Sequence, residues 1–149
     1  MTDIVILGGA RTAIGTFGGS LAGLGPIDIG MAAAKAALDR SGVAPDQVGT
    51  VVFGHVINTE PRDMYLSRVV AMGAGVPDTV PAMNVNRLCG SGVQAIVSGT
   101  QALAMGDAEV ALVGGAECMS RSPYALPAAR WGQKMGDTRA LDMMTGALT

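Results

Sequence analysis

The stretch Val80-Pro81-Ala82-Met83-Asn84-Val85-Asn86-Arg87-Leu88-Cys89-Gly90-Ser91-Gly92 decides the fold, because the chain changes its secondary-structure habit inside it. Val80 to Val85 reads as a strand and Gly90 to Met105 as a helix. Cys89 therefore falls at or beside a helix amino terminus. Unpaired N–H groups and the positive end of the helix dipole favour a thiolate there, and the thiolate is the nucleophilic form of a cysteine. Gly90 and Gly92 carry no side chains, so a substrate carbonyl can approach the backbone and the Cys89 N–H can serve as one oxyanion donor. The competing reading is a small buried hydrophobe beside a tight turn, since free cysteine is among the residue types most often buried. Local sequence does not choose between the two.

Outward from that stretch, strands and helices alternate. Asp3 to Leu7 is an apolar run closed by Gly8-Gly9 and reads as a strand buried on both faces. Asp28 to Arg40 reads as a helix, with Pro26 ahead of it and Gly42 as its stop. Thr50 to Gly54 reads as a second strand, and Pro61 to Met72 as a second helix opened by proline. Beyond the central helix, Glu109 to Val113 reads as a fourth strand. The order β-α-β-α-β-α-β implies an α/β fold: a mostly parallel sheet with right-handed crossovers and helices on its faces. This layered unit is assigned to residues 1–119. From Ser120 to Thr149 the texture turns to Pro, Arg, Trp and Met without a period, which reads as the start of a loop region.

The central helix has no charged residue between Gly90 and Met105, whereas the first helix carries Lys35, Asp39 and Arg40. A helix without a charged face is covered on every side. One sheet in a 149-residue chain cannot provide that cover, so a second layer from outside the chain is expected.

Bulk composition removes several classes of partner. The net charge is −2, with no cluster of Lys or Arg, so nothing marks a nucleic-acid or anionic-membrane surface. Gly, Pro or charge interrupts every apolar run before it reaches the length of a membrane span. Aromatic residues make up 3% of the chain while glycine is abundant, which calls for closely packed backbones and small side chains. Cys89 and Cys118 are too few for a disulfide framework and lack the paired spacing of a zinc site, so a reducing cytoplasm is expected.

Three motifs in order carry a resemblance: Arg11-Thr12-Ala13-Ile14-Gly15, then Asn84 to Gly92, then Gly114-Gly115-Ala116-Glu117 followed by Met119-Ser120. Together they resemble the amino-terminal half of thiolases, the acetyl-CoA acetyltransferases and β-ketothiolases. The likeness covers essentially the whole chain. Asn58 to Leu66 resembles the bacterial β-ketothiolases used in polyhydroxyalkanoate formation more than the narrower acetoacetyl-CoA enzymes. The resemblance implies a ping-pong acyl transfer on Cys89, with acyl-CoA and acetyl-CoA as substrates and no further cofactor or metal. It also implies an activating histidine, a second acid–base cysteine and an Asn-held water, and none of their motifs occurs here. A second polypeptide carrying the carboxy-terminal half is therefore expected, within a homo- or hetero-oligomer, dimer or tetramer.

Other residues receive smaller roles. Leu148 matches a position that lines the pantetheine tunnel of related enzymes. Arg130-Trp131 resembles a tetramer-forming segment, with a surface loop as the alternative, and Val80 to Val85 would be an edge strand pairing across a two-fold axis. His55, the only histidine, falls at a strand end but matches no catalytic position of the family. Cys118 reads as an inert thiol and Glu117 as a satisfied structural carboxylate. Gly15 to Gly25 lacks the spacing of a phosphate loop and reads as a plain loop. Two alternatives to an active thiolase part stand beside it: an inactive half-domain acting as a scaffold, and a ketosynthase or hydroxymethylglutaryl-CoA synthase relative. Leu88-Cys89-Gly90-Ser91-Gly92 favours thiolase over the latter.

Overall fold

The computed structural model describes residues 3–149. Three parallel strands form its sheet: β1 (Thr50–Gly54) lies in the middle, between β2 (Ala82–Val85) and β3 (Ala111–Gly115). Helix α1 (Pro26–Ser41) precedes β1, α2 (Leu66–Gly73) leads into β2, and α3 (Ser91–Met105) joins β2 to β3. Each connection carries a helix because parallel neighbours cannot be joined by a tight turn.

Helix α1 forms where its punctuation predicts. Pro26 occupies the first turn, Asp28 Oδ2 accepts the Gly25 N–H at 3.1 Å, and Gly42 closes the helix at φ +69°. Its buried face is Ile27, Gly30, Ala34 and Leu38, a spacing that marks one side of a helix. The second helix begins later than the sequence suggests. Pro61–Tyr65 is a 3-10 turn, and the α-helix starts at Leu66. Asp63 explains the delay: its buried carboxylate accepts the Thr59 N–H, the Thr59 hydroxyl and the Glu60 N–H, tying the entry turn back onto its own loop. Asn84 on β2 then fixes the junction, accepting the Ser67 N–H at 2.8 Å and donating to the carbonyls of Asp63 and Met64.

Alternation along β1 assigns the two faces of the sheet. Val51 and Phe53 point into a core with Ile27, Ala34, Leu38, Leu66, Val70, Ala71 and Leu112, so α1 and α2 cover that face. Gly54 points the other way, against the first residue of α3: a Cβ there would lie 2.6 Å from the Ser91 carbonyl carbon. Gly99, one face further along α3, meets Val113 and Ala111 of β3 in the same manner. The glycine richness thus lets a helix lie directly on the strands.

One expected strand is absent. Asp3 to Leu7 forms no strand, and Val5 and Ile6 are 67% and 86% exposed. The segment lines one wall of a cleft of about 280 Å³ whose other wall is Val110 to Gly115, without pairing to it. A strand buried on both faces needs neighbours on both edges, and the described residues do not supply them. The central helix is covered on one side only: Ser91, Ala95 and Gly99 are buried, while Val93, Ile96, Val97 and Met105 are exposed. Among the described residues nothing covers its other side, in keeping with the second layer expected from outside the chain.

Beyond β3 the chain is irregular. It holds a short antiparallel pair, β4 (Tyr124–Ala125) with β5 (Leu141–Asp142), and a single-turn-and-a-half helix, α4 (Met143–Leu148). Asp142 caps α4, accepting from the Met144 and Thr145 N–H groups and the Thr145 hydroxyl.

Candidate active site

The carboxyl ends of the three parallel strands face the same way, and that edge is where open α/β sheets place their chemistry. His55 follows β1, the Asn86–Gly90 turn follows β2, and Ala116–Cys118 follows β3. The His55 N–H donates to the Val85 carbonyl at 3.0 Å, which carries the pairing of β1 and β2 up to the threshold of the turn.

Cys89 stands in that turn, exposed, two residues before the first residue of α3. The expectation of a cysteine beside a helix amino terminus is met, and burial as a small core hydrophobe is excluded within this chain. A Cβ at Gly92 would meet nothing within 4 Å, so packing inside the chain does not require a glycine there. That leaves the space beside the cysteine open to another group.

The turn itself has a feature that the sequence reading missed. Leu88 is the only described residue other than glycine with positive φ, at +49°. A branched L-residue in this region costs roughly 1–2 kcal/mol. Three contacts hold it: the Leu88 N–H donates to Asn86 Oδ1 at 3.0 Å, and its carbonyl accepts both the Ser91 N–H at 3.0 Å and the Ser91 hydroxyl at 2.6 Å. The Ser91 hydroxyl oxygen also accepts the Arg87 N–H at 2.8 Å. The signal was available, since an asparagine two residues ahead of a turn position is the pattern of an Asx-turn.

His55 is a buried side chain rather than a free base. Its Nδ1 lies 2.9 Å from the Ala116 carbonyl oxygen and 3.4 Å from Glu117 Oε1. A carbonyl can only accept, so Nδ1 carries a hydrogen, and in the neutral ring Nε2 is then a bare acceptor, buried without a partner among the described residues. Glu117 is satisfied as expected: its two oxygens accept the N–H groups of Val56 at 2.9 Å and Ile57 at 3.1 Å. This carboxylate fastens the loop after β1 to the end of β3. Cys118 is buried and Leu148 is exposed at the end of α4. Leu148 does not line the open cavity of about 760 Å³ formed by Val56, Ile57, Tyr124, Arg139 and Thr149 with their neighbours. Trp131 lies on the surface, 82% exposed.

A family model described as the thiolase N-terminal domain matches residues 4–149. The chain belongs to the thiolase family. Beta-ketothiolase BktB of Cupriavidus necator is 58% identical over 146 residues, which are 98% of this thiolase chain and 37% of that protein. An acetyl-CoA acetyltransferase of the same organism is 46% identical over 97% of the chain and 36% of its own length. The crystal structure of human mitochondrial 3-ketoacyl-CoA thiolase in complex with CoA matches with a TM-score of 0.93 at 40% identity, covering 96% of this chain and 36% of that one. The chain thus spans little more than a third of the length of these relatives. The resemblance drawn from three motifs and the α/β fold expected with it are both borne out.

Proposed function

We propose that this chain is the nucleophile-bearing part of an acyl-CoA C-acyltransferase, and that Cys89 carries the acyl group between two half-reactions. In the first, the Cys89 sulfur attacks the carbonyl carbon of an acyl-CoA, with the Cys89 N–H as one donor to the developing oxyanion. The CoA–sulfur bond to the acyl group breaks and CoA leaves with the proton. In the second, the α-carbon of an acetyl-CoA, having lost a proton, attacks the Cys89 thioester. A carbon–carbon bond forms, 3-oxoacyl-CoA is released and the cysteine is regenerated. The reverse sequence is thiolytic cleavage.

The observation that carries this reading is an exposed cysteine on a strained turn between a parallel strand and a helix, inside a chain that matches the thiolase N-terminal domain over residues 4–149. The remaining acid–base groups belong to the carboxy-terminal thiolase half, supplied as a second polypeptide or as continuing chain. The bare outer side of α3 supports that arrangement over an independent scaffold. Leu148 is proposed to approach the pantetheine arm once that half is present, and Arg130-Trp131 with residues 120–149 to begin a loop region used in tetramer formation. The free edge of β2 suits pairing with a second copy. The two unpaired cysteines fit a cytoplasmic setting. Among the described residues, no helix is long and apolar enough to cross a membrane.

The test is acetyl labelling. Mixed with a carboxy-terminal thiolase half and acetyl-CoA, the chain is expected to gain one acetyl group on Cys89, read by intact mass and peptide mapping, and to cleave acetoacetyl-CoA. Cys89→Ser removes both signals; labelling that persists in this variant overturns the assignment.

A further inference from the structure

We infer that Asn86 is a positioning residue for acyl transfer: it holds Leu88 in the left-handed conformation, and that conformation aims the Cys89 side chain. The inference rests on the proposed role of Cys89 and names a residue through which that role is realised.

Arg87 to Gly90 is a tight turn closed by the Gly90 N–H donating to the Arg87 carbonyl at 3.0 Å. Positive φ falls at the first central residue, Leu88, and not at the second, Cys89. Positive φ is the region that glycine adopts most readily. Leucine stands there, and its side chain is 55% exposed, so packing within the chain does not pin it. The backbone is instead held from both sides. Ser91 fixes the carbonyl side through its N–H and hydroxyl, and Ser91 is itself immobilised against Gly54, where backbone meets side chain with no room for a methyl group. The amide side is held by Asn86 Oδ1.

Without Asn86, the Leu88 N–H loses its acceptor and the residue is free to relax to negative φ. Because Cys89 is the next residue, that rotation swings the bond from which the sulfur projects. Acyl transfer needs the sulfur and the carbonyl carbon about 3–3.5 Å apart and aligned, and a misplacement of about 1 Å costs on the order of 100-fold in rate.

The experiment uses the chain assembled with its carboxy-terminal thiolase half and follows the rate of acetyl transfer from acetyl-CoA to Cys89. Asn86→Ala is expected to slow acylation by about tenfold or more at saturating acetyl-CoA, with KM and the melting temperature little changed. In a Leu88→Gly background, where positive φ carries no steric penalty, adding Asn86→Ala should cost less than twofold. Leu88→Val should slow acylation as Asn86→Ala does, because a β-branched residue is a worse fit to this conformation than leucine. A purely structural role for Asn86 would lower the melting temperature and would not be relieved by glycine at 88. Acylation of Asn86→Ala at the parent rate, or an equally slow Asn86→Ala in both backgrounds, overturns the inference. Absence of any acetyl group on Cys89 in the parent protein would instead overturn the thiolase reading beneath it.

Discussion

The two faces of the sheet are finished to different degrees. On one face, α1 and α2 seal Val51, Phe53 and Leu112 into a core in which Leu66, Val70 and Val51 have no exposed surface. On the other, α3 lies flat on β1 and β3 through Gly54 and Gly99, but its own outer side presents Val93, Ile96 and Val97 to solvent. The side-chain chemistry differs accordingly. Helix α1 turns Lys35, Asp39 and Arg40 outward, as a helix at a water boundary does, whereas α3 has no charge to turn. One layer is therefore complete in this chain, and the other is built to be covered.

Substitutions should separate these layers by size of effect. Leu66→Ala on the sealed face is expected to cost about 3 kcal/mol in urea unfolding, because the cavity is enclosed by α1, α2 and the sheet. A loss within 0.5 kcal/mol would mean that this face is not the core. Gly54→Ala on the α3 side should cost about 2 kcal/mol by forcing the new methyl into the Ser91 backbone, and should slow Cys89 acetylation by shifting the start of α3. Stability lost with acetylation intact would uncouple the strand from the turn. Ile96→Lys should change the unfolding free energy of the chain by no more than about 0.5 kcal/mol, since the side chain touches water already. It should nevertheless weaken association with the carboxy-terminal half, measured by titration; undiminished association would place the missing layer elsewhere.

The smallest effect belongs to α4, outside both layers. The Thr145 hydroxyl holds the Asp142 carboxyl below the ordinary aspartate value against the opposing effect of desolvation, and the Met144 and Thr145 N–H groups add to the lowering. A carboxylate lowered in the folded state adds stability that is present above its unfolded value and is lost as pH falls through its folded value. Protection from amide exchange in Met143–Leu148, taken relative to the intrinsic rate at each pH, should therefore hold on acidification to about pH 4 and fall below it. Asp142→Asn should remove that pH dependence while leaving exchange in α1 unaltered.

Much of this was legible in the sequence because it is local. Pro26 and Gly42 bracket α1, the apolar runs at Thr50 and Ala82 are strands, and the glycines around Cys89 mark a strand-to-helix turn. Asp3 to Leu7 misled for a physical reason. Hydrophobic sequence reports that a segment is meant to be buried, but burial as a strand also requires hydrogen-bonding neighbours that the segment cannot specify by itself. Pro61 misled less, since proline starts a helical turn correctly, and it was the Asp63 carboxylate that kept the first turn in the 3-10 form.

The sequence by itself determined the order of elements from the first helix to the last strand of the parallel sheet, the family and the candidate nucleophile, because these are written in contiguous motifs from Arg11 to Ser120. Only the tertiary structure decided that β1 is the central strand, that α3 is half bare, and that Leu88 is held at positive φ by Asn86 and Ser91. Those features depend on which backbone groups find partners across space. A string of residues records the donors and acceptors without recording how they pair.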